Sequence, residues 1–210
     1  MSDSGAPPKL SDKQQRVLQA ALDVFAERGF HGASTSEIAK RAGVAEGTLF
    51  KQYKTKKELM IGVLAPVFAH VIAPVVLNEV REILQAPHAT VEDFLLTIFR
   101  NRLAFLTKHE RVARIALQEV PFHGEVRELV KSTMAAQVLP DAIALVERFQ
   151  REGKVRAAEP TSVLRVIAGT FFTFVFTRMM VAPEAAWDDD AEVTLMAQVL
   201  AQGLKPPDRA

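Results

Sequence analysis

The chain has 210 residues, of which 49% are hydrophobic and 24% charged, and its formal net charge is +1. This composition is typical of a folded globular protein and excludes a disordered or fibrous one; the length allows one large domain or two small ones. The absence of cysteine excludes disulfides, thiolate zinc sites and a cysteine nucleophile. The N-terminal segment MSDSGAPPKL lacks the apolar stretch of a secretory signal, so we expect a cytoplasmic protein.

Apolar residues recur at helical spacing along almost the whole chain, and no segment has the alternation of a strand, which predicts an all-α fold. A capping box at Ser11 and Gln14 predicts the start of a first helix, which Gly29 ends. Two short helices are predicted next, at about 35–42 and 45–53, with Gly43 between them. The result is a pair of short helices joined by a tight turn.

The remaining helices are predicted from caps and prolines. The stretch 55–84 opens with a capping box at Thr55 and Glu58 and is kinked or broken by Pro66 and Pro74. Further helices are expected at about 90–108, up to 119, from 122 to 153 with a bend at Pro140, at 160–181, and from 188–190 to 203.

The paired short helices have one apolar and one polar side. Apolar side chains there can form a small core with the first helix (Ile38, Ala42, Val44 and Leu49 with Leu22 and Phe25), and Ala39 allows close crossing. The free side carries groups that can bond phosphates or base edges, and Gly47 would let the backbone come close to DNA. These polar residues are Thr35, Ser36, Lys40, Glu46, Thr48, Lys51 and Gln52. The pattern predicts a helix-turn-helix; the alternative is a helical hairpin with a solvated face.

From Val17 to Leu59 the sequence, VLQAALDVFAERGF…IAKRAGVAEGTLFKQYKTKKEL, resembles the N-terminal domain of the tetracycline-repressor (TetR) family. The resemblance implies a three-helix DNA-binding domain over 11–58, and a C-terminal helical bundle over 59–205 that binds a ligand and dimerises. It also implies that Thr35 and Ser36 contact phosphates and that Lys56 holds a phosphate at a helix start. Residues near base edges would be Glu46, Gly47, Thr48 and Lys51.

The sequence departs from the family pattern at three places. Phe50 stands where the family usually has tyrosine, which leaves Tyr53 as a candidate for the missing hydroxyl. The pair Gln52 and Tyr53 replaces the usual histidine-phenylalanine pair. Ala33 replaces a threonine, so Ser34 or Thr35 would have to cap the next helix.

The most apolar segment is 163–181, but Arg165 and Arg178 leave only twelve residues between charges, which is too short for a membrane span. We therefore expect a buried helix. By position it resembles the eighth helix of the family, which builds a dimer interface with the ninth; the alternative is an internal core helix. The predicted interface residues are Leu164, Ala168, Phe171, Val175, Met179, Met196 and Val199.

The C-terminal part is rich in phenylalanine, and some of these side chains are predicted to line a cavity for a largely apolar effector. The candidates are Phe94, Phe105, His109, Phe122, Phe149, Phe172 and Phe176. Ordinary core packing is the alternative for each of them. The five histidines lack the spacing of metal ligands, so neither a metal nor a cofactor is expected.

These features favour a homodimeric transcriptional regulator that binds operator DNA and is released by a small molecule. An enzyme is not expected, because the sequence has no phosphate loop, nucleophile elbow or metal constellation. A helical protein-interaction adaptor without DNA binding is the remaining alternative, suggested by Phe50 and by Glu46, whose carboxylate would repel phosphates.

Overall fold

The computed structural model describes residues 11–67 and 73–207; the N-terminal segment considered above as a possible signal lies outside them. Within the described residues every regular element is helical, which confirms the all-α prediction. A π-helical turn, Thr177–Val181, follows α10. The helices are α1 (Asp12–Gly32), α2 (Thr35–Ala42), α3 (Glu46–Gln52), α4 (Lys56–Val67), α5 (Ala73–Gln85), α6 (Val91–Lys108), α7 (Glu110–Glu119), α8 (Gly124–Gln137), α9 (Leu139–Arg151), α10 (Pro160–Phe176) and α11 (Asp189–Leu204).

Side-chain caps fix where several of these helices begin. Ser11 and Gln14 form the predicted capping box at the start of α1. Ser34, not Thr35, caps α2: its hydroxyl accepts from the backbone N–H of Glu37 at 3.0 Å. Thr90 caps α6 in the same way. Each cap satisfies an N–H group that has no partner inside its helix.

Two glycines end helical segments by adopting a left-handed backbone. The regular part of α1 breaks at Gly29, whose φ is +65°, and Gly43 ends α2 at the same φ. The turn after α2 is closed by the N–H of Val44, which donates to the carbonyl of Ala39 at 3.0 Å. Both glycine positions agree with the sequence prediction.

The chain divides into two compact units. The first contains the described residues of Met1–His70 together with Arg111–Val126, and the second contains those of Val71–Glu110 and Arg127–Ala210. The first unit therefore holds α1 to α4 and, in addition, α7, which sequence reasoning had assigned to the C-terminal domain. Ile115 of α7 is fully buried in the core of the first unit. The other members of that core are Val17, Ala20, Ala21, Val24, Phe25, Ala33, Ile38, Ala39, Ala42, Leu49, Leu59 and Met60.

A buried carboxylate joins α7 to the broken end of α1. Glu119 is 6% exposed, and its Oε1 accepts from the backbone N–H of Phe30, directly after Gly29, at 2.9 Å. Its Oε2 lies 3.1 Å from Nε2 of His123, whose ring packs edge-on against Phe30. Glu119 thus satisfies a backbone donor that the turn at Gly29 leaves without a helical partner.

The second unit is a helical bundle. α6 packs against α5 and α11, α9 against α5 and α10, and α10 against α11. Leu95 of α6 and Val193 and Ala197 of α11 are fully buried. Arg178 in the π-helical turn binds both carboxylate oxygens of Asp189, at 2.7 and 2.8 Å, and so ties that turn to the start of α11.

The prediction that segment 163–181 forms a buried helix is wrong for the single chain. By length and composition, the stretch Pro160–Val181 is the one among the described helices that could cross a membrane, yet only 22% of its most apolar 18-residue segment is buried. α10 packs one side against its own unit and leaves the other uncovered. The large apolar side chains exposed on α10, the turn after it and α11 are Val166, Phe172, Phe176, Val181, Leu195 and Val199.

Replacing Glu119 with alanine should destabilise the first unit by about 1–3 kcal/mol, because it leaves the partly buried N–H of Phe30 without its acceptor. The measurement is urea unfolding followed through Tyr53, the single tyrosine, which lies in the first unit; Trp187, the single tryptophan, reports on the second.

The matched control is Glu125→Ala. Glu125 is 66% exposed and pairs with Lys57, and an exposed pair of this kind contributes at most about 1 kcal/mol. Equal losses in the two variants would show that the buried contact of Glu119 does not hold α7 on α1.

Candidate nucleic-acid interface

The third helix is held in place by a single buried side chain. α3 has seven residues, too few for a helix to be stable alone in water. Leu49 is 2% exposed and belongs to the same buried cluster as Phe25 and Ile38. Val44 packs against this cluster from the turn. The predicted core of the helix-turn-helix is therefore present, and it fixes which side of α3 faces outward.

The outward side of α2 and α3 is polar and open. Ser36, Lys40, Gly47, Lys51 and Gln52 are exposed. A Cβ added at Gly47 would meet nothing within 4 Å, so no packing in the protein requires glycine there. Its small size leaves the backbone of α3 accessible, as direct approach to another molecule needs.

Two predicted contact residues are bonded to each other. The hydroxyl of Thr35, at the start of α2, donates to Oε1 of Glu46, at the start of α3, at 2.7 Å. Both side chains are half-buried. This bond joins the first turns of the two helices and engages one oxygen of the carboxylate that the family resemblance places near base edges. Thr48, two residues further along α3, is likewise half-buried.

Lys56 is placed differently from the prediction that its ammonium holds a phosphate. Its Nζ donates to the carbonyl oxygens of Ala33 at 3.0 Å and His31 at 3.4 Å, and it lies 4.6 Å from the ring centroid of Phe30. In the free protein this charge therefore stabilises the segment between α1 and α2. The start of α4 still carries the predicted cap, because the hydroxyl of Thr55 accepts from the N–H of Glu58 at 3.0 Å.

Tyr53 ends α3 and packs against α4. Its ring lies so close to Gly62 that a Cβ there would be 2.5 Å from the ring, and burial raises the pKa of the phenol above its ordinary value. The hydroxyl accepts from the side-chain amide of Gln52 at 3.4 Å. Tyr53 is therefore mainly a packing residue whose hydroxyl lies at the edge of the polar surface.

Two carboxylates neutralise the charge of Arg41, the second cation of α2 beside Lys40. Arg41 donates to both oxygens of Glu27, at 2.8 and 2.7 Å, and to Glu37 at 2.9 Å. The guanidinium lowers the pKa of the Glu27 carboxyl. With Arg41 paired and Lys56 engaged, Lys40 and Lys51 are the exposed cations that α2 and α3 present.

Sequence reasoning did not select Phe50 as a contact. It is 42% exposed on α3, although an aromatic side chain is usually buried. Exposure beside Lys51 would let it touch a thymine methyl group or a sugar. The only signal in the sequence was the departure from tyrosine at that position.

The second unit contains a cavity of about 300 Å³. α5, α6, α8, α9 and α10 all contribute side chains to it. Its lining consists of Val80, Leu84, Phe94, Ile98, Phe99, Arg102, Met134, Val138, Leu139, Ala142, Leu164, Ile167, Ala168 and Phe171. Among the described residues, no group of three or more histidines or carboxylates lies close enough to hold a metal ion.

Of the residues predicted to line an effector pocket, Phe94 lines this cavity. Phe149 lies behind it in the core, with its ring centroid 6.1 Å from that of Phe94. The rings of Phe105 and His109 contact each other, tilted by 39° with centroids 4.5 Å apart, and neither residue lines the cavity. Phe122, Phe172 and Phe176 do not line it, and their side chains are 81%, 55% and 38% exposed. Helical spacing alone does not say which side of a helix faces a cavity.

The predicted dimer residues fall into three groups. Val175 and Met179 are each 3% exposed and are buried inside their own chain, so the structure contradicts their assignment to an outer face. Leu164, Ala168 and Phe171 line the cavity, and Ala168 is also exposed. Met196 is half-buried and Val199 exposed on α11.

Two helices joined by a left-handed glycine turn over a shared core, with the second helix open on its polar side, define a helix-turn-helix DNA-binding protein. The family description that matches residues 17–63 is "Bacterial regulatory proteins, tetR family". Over residues 17–63 the chain is similar to members of this family, and it is a DNA-binding transcriptional regulator.

Individual relatives agree with this assignment. The chain is 28% identical over 160 residues to the HTH-type transcriptional regulator RutR of Escherichia coli (strain K12), which covers 75% of this chain and 71% of that protein. It is 43% identical over 49 residues to the fatty acid metabolism regulator protein of Bacillus subtilis, covering 23% of this chain and 25% of that protein.

The fold also matches over nearly the whole length. The crystal structure of the transcriptional regulator FadR from Bacillus subtilis in complex with stearoyl-CoA has a TM-score of 0.67 and 21% sequence identity, covering 90% of this chain and 98% of that one. At this identity the likeness establishes the shared fold. An N-terminal helix-turn-helix domain followed by a helical C-terminal bundle is confirmed.

Proposed function

We propose that the chain acts as a homodimeric repressor that leaves its operator when a small molecule binds the second unit. The observation that supports DNA reading most directly is the open side of α3, where Gly47 exposes the backbone and Lys51 presents an exposed cation. An α-helix of this kind fits the major groove of B-DNA, in which every base pair displays a distinct set of donors and acceptors.

The proposed contacts divide by chemistry. Lys40, Lys51 and the hydroxyl of Ser36 are exposed groups that bind phosphates or base edges. Phe50 adds an apolar contact. Thr35, Glu46 and Lys56 have an indirect role. The bond between Thr35 and Glu46 sets the angle between α2 and α3, and Lys56 holds the segment between α1 and α2.

The exposed apolar side of α10 and α11 supports a homodimer. Phe172 and Phe176 stack at 6.0 Å on a helix whose outer side has no cover in one chain, and Gly169 leaves open space beside its backbone. Contiguous exposed apolar surface is unfavourable in water and is typical of interfaces. A two-fold dimer buries the same side of both copies and provides two recognition helices, which operators read one turn of DNA apart, about 34–36 Å.

The cavity supports an effector. At about 300 Å³ and with an almost wholly apolar lining, it has the size and character of a small-molecule site. The FadR structure from Bacillus subtilis, which shares this fold, contains stearoyl-CoA. A ligand that binds better to a dimer with another spacing of its recognition helices would weaken operator binding by shifting the population away from the DNA-binding form.

Replacing Lys51 with alanine should weaken binding to operator DNA and reduce the slope of log affinity against log salt by about 1, as expected for one lost phosphate contact. The DNA is obtained by selecting sites from a random duplex library with the native protein. Affinity is then measured by fluorescence anisotropy over a range of salt concentrations.

The control for charge is Lys131→Ala, an exposed lysine of the second unit. Lys56→Ala is unsuitable as a test, because losing its bonds to two carbonyls would disturb the fold. An unchanged affinity and slope for Lys51→Ala would remove α3 from the proposed interface.

Replacing Phe172 with glutamate should convert the dimer into a monomer, because a desolvated carboxylate in an apolar interface is unfavourable. Light scattering after size-exclusion chromatography should give twice the chain mass of 23.2 kDa for the native protein and that mass for the variant.

The matched control is Phe122→Glu, which alters another exposed phenylalanine, 81% exposed and in the first unit. It should remain dimeric. A native protein that is monomeric in solution, or that requires detergent or lipid to stay dispersed, would contradict the proposed use of this side.

A further inference from the structure

Glu46 brings a negative charge to a surface that is otherwise neutral or positive. The exposed residues of α2 and α3 are Ser36, Lys40, Arg41, Gly47, Phe50, Lys51 and Gln52. The other carboxylate of these two helices, Glu37, is already paired with Arg41, whereas Glu46 has no cationic partner among the described residues. Phosphates repel an unpaired carboxylate, so its position on a DNA-binding surface needs a chemical reason of its own.

The two oxygens of this carboxylate differ in their surroundings. Oε1 accepts from the hydroxyl of Thr35 at 2.7 Å. Oε2 has no hydrogen-bond partner among the described residues, and the buried polar atoms without a partner are Nη1 of Arg102 and Oε1 of Gln118. Oε2 of Glu46 is therefore not a buried atom and can be reached from solvent. Thr35 fixes the carboxylate and leaves one acceptor free for another molecule.

Glu46 belongs to the open side of α3. Phe50 follows it by four residues, so the two side chains lie on the same side of the helix, and Phe50 is 42% exposed. Gly47 and Lys51, both exposed, form the neighbouring row one residue further along. The free oxygen thus belongs to the part of α3 that we place in the major groove.

We infer that Oε2 of Glu46 accepts a hydrogen bond from the 4-amino group of a cytosine in each half of the operator. The inference rests on the proposed function in taking α3 as the helix that enters the major groove. It adds the base that this helix selects at one position, and it gives Thr35 the role of a positioning residue.

Cytosine is the base whose major-groove edge matches a carboxylate. A carboxylate oxygen accepts hydrogen bonds and cannot donate them. In the major groove guanine displays two acceptors, thymine an acceptor beside a methyl group, and adenine an acceptor beside its amino group, whereas cytosine displays a donor alone. An acceptor on the base would repel the carboxylate. The charge of Glu46 therefore favours cytosine and acts against the other three bases.

The bond from Thr35 makes this contact more favourable. A free glutamate side chain has several rotamers, and fixing one of them on binding costs conformational entropy. In this protein the hydroxyl of Thr35 already holds the carboxylate through Oε1. When DNA displaces water from the surface, only Oε2 needs a new donor, and the cytosine amino group supplies it.

Glu46→Gln tests the inference through base preference. The amide oxygen keeps the bond from Thr35, so its NH2 group takes the place of Oε2 and presents a donor. Cytosine then becomes the unfavourable base, because its groove edge has no acceptor. Sites are selected from a random duplex library with the native protein and the variant. Relative affinity for cytosine at one position of each half-site should fall about tenfold, while preferences at the other positions remain.

The matched control is Glu147→Gln, the same change at an exposed carboxylate of the second unit. It should select the native site. A carboxylate that served only to stabilise α2 and α3 would, on replacement, lower the affinity for all sequences alike, without changing the preferred base at any position.

Modified DNA tests the same contact with the native protein. N4-methylcytosine at the assigned position keeps the hydrogen that pairs with guanine and replaces the groove hydrogen with a methyl group. Native affinity should fall about tenfold, and the same base outside the selected site should have no effect. Glu46→Gln should respond much less, although its side chain has the same size, because it has lost the acceptor; a steric clash would weaken both proteins equally.

Three results would overturn the inference: a selected site that Glu46→Gln leaves unchanged, a change at a position where the native protein does not prefer cytosine, or an equal effect of N4-methylcytosine on both proteins. Each of them leaves the proposed function intact, since the native protein still selects a site. A native protein that enriches no sequence from the library would instead reject the proposed function, and the inference with it.

Discussion

A helix of seven residues cannot maintain its conformation in water by its own hydrogen bonds, and the helix that we propose reads DNA, α3, has only seven. α3 depends on the buried cluster beneath it, to which Leu49 contributes from α3, Ile38 from α2 and Phe25 from α1. The same cluster includes Ile115 of α7, a helix far away in the sequence. Packing of α1 and α7 therefore determines the orientation of every group that α3 presents, and the bond between Thr35 and Glu46 refines it.

The placement of α7 gives the regulator a physical basis for communication along the chain. α6 supplies Arg102 and several apolar residues to the cavity, and α7 follows it after a single residue, His109. Through Glu119, α7 also satisfies the backbone where α1 breaks at Gly29. A ligand that moves α6 would thus act on a helix whose side chains belong to the core of the DNA-binding unit.

Local signals in the sequence were sufficient for most helix boundaries. Caps at Ser11, Ser34 and Thr90, and turns at Gly29 and Gly43, are decided by a few neighbouring atoms, and the structure contains them. Long-range packing was not accessible in this way. Nothing near Ile115 or Glu119 in the sequence indicates that they contact α1, because that contact joins residues about 90 positions apart.

For the binding residues, too, the sequence did not show which contacts each side chain makes in the folded protein. Lys56 was expected to reach a phosphate because its position matches the family, but carbonyls of the preceding segment already occupy it. Phe172 and Phe176 were expected in a cavity, whereas they lie on an open side of α10, because a helix apolar on most of its circumference does not reveal which side is inward. Arg102 lines the cavity without any signal in the sequence, because an arginine on an amphipathic helix is usually solvated.

The central claim is that α3 reads DNA in the major groove as one of a pair. Dimethyl sulfate protection on a selected duplex tests it directly, since the reagent methylates N7 of guanine in the major groove. Two protected major-groove segments, centred about one helical turn or 10.5 base pairs apart or a multiple of that spacing, are the predicted result. Protection confined to the minor groove, or a single protected segment, would contradict the account.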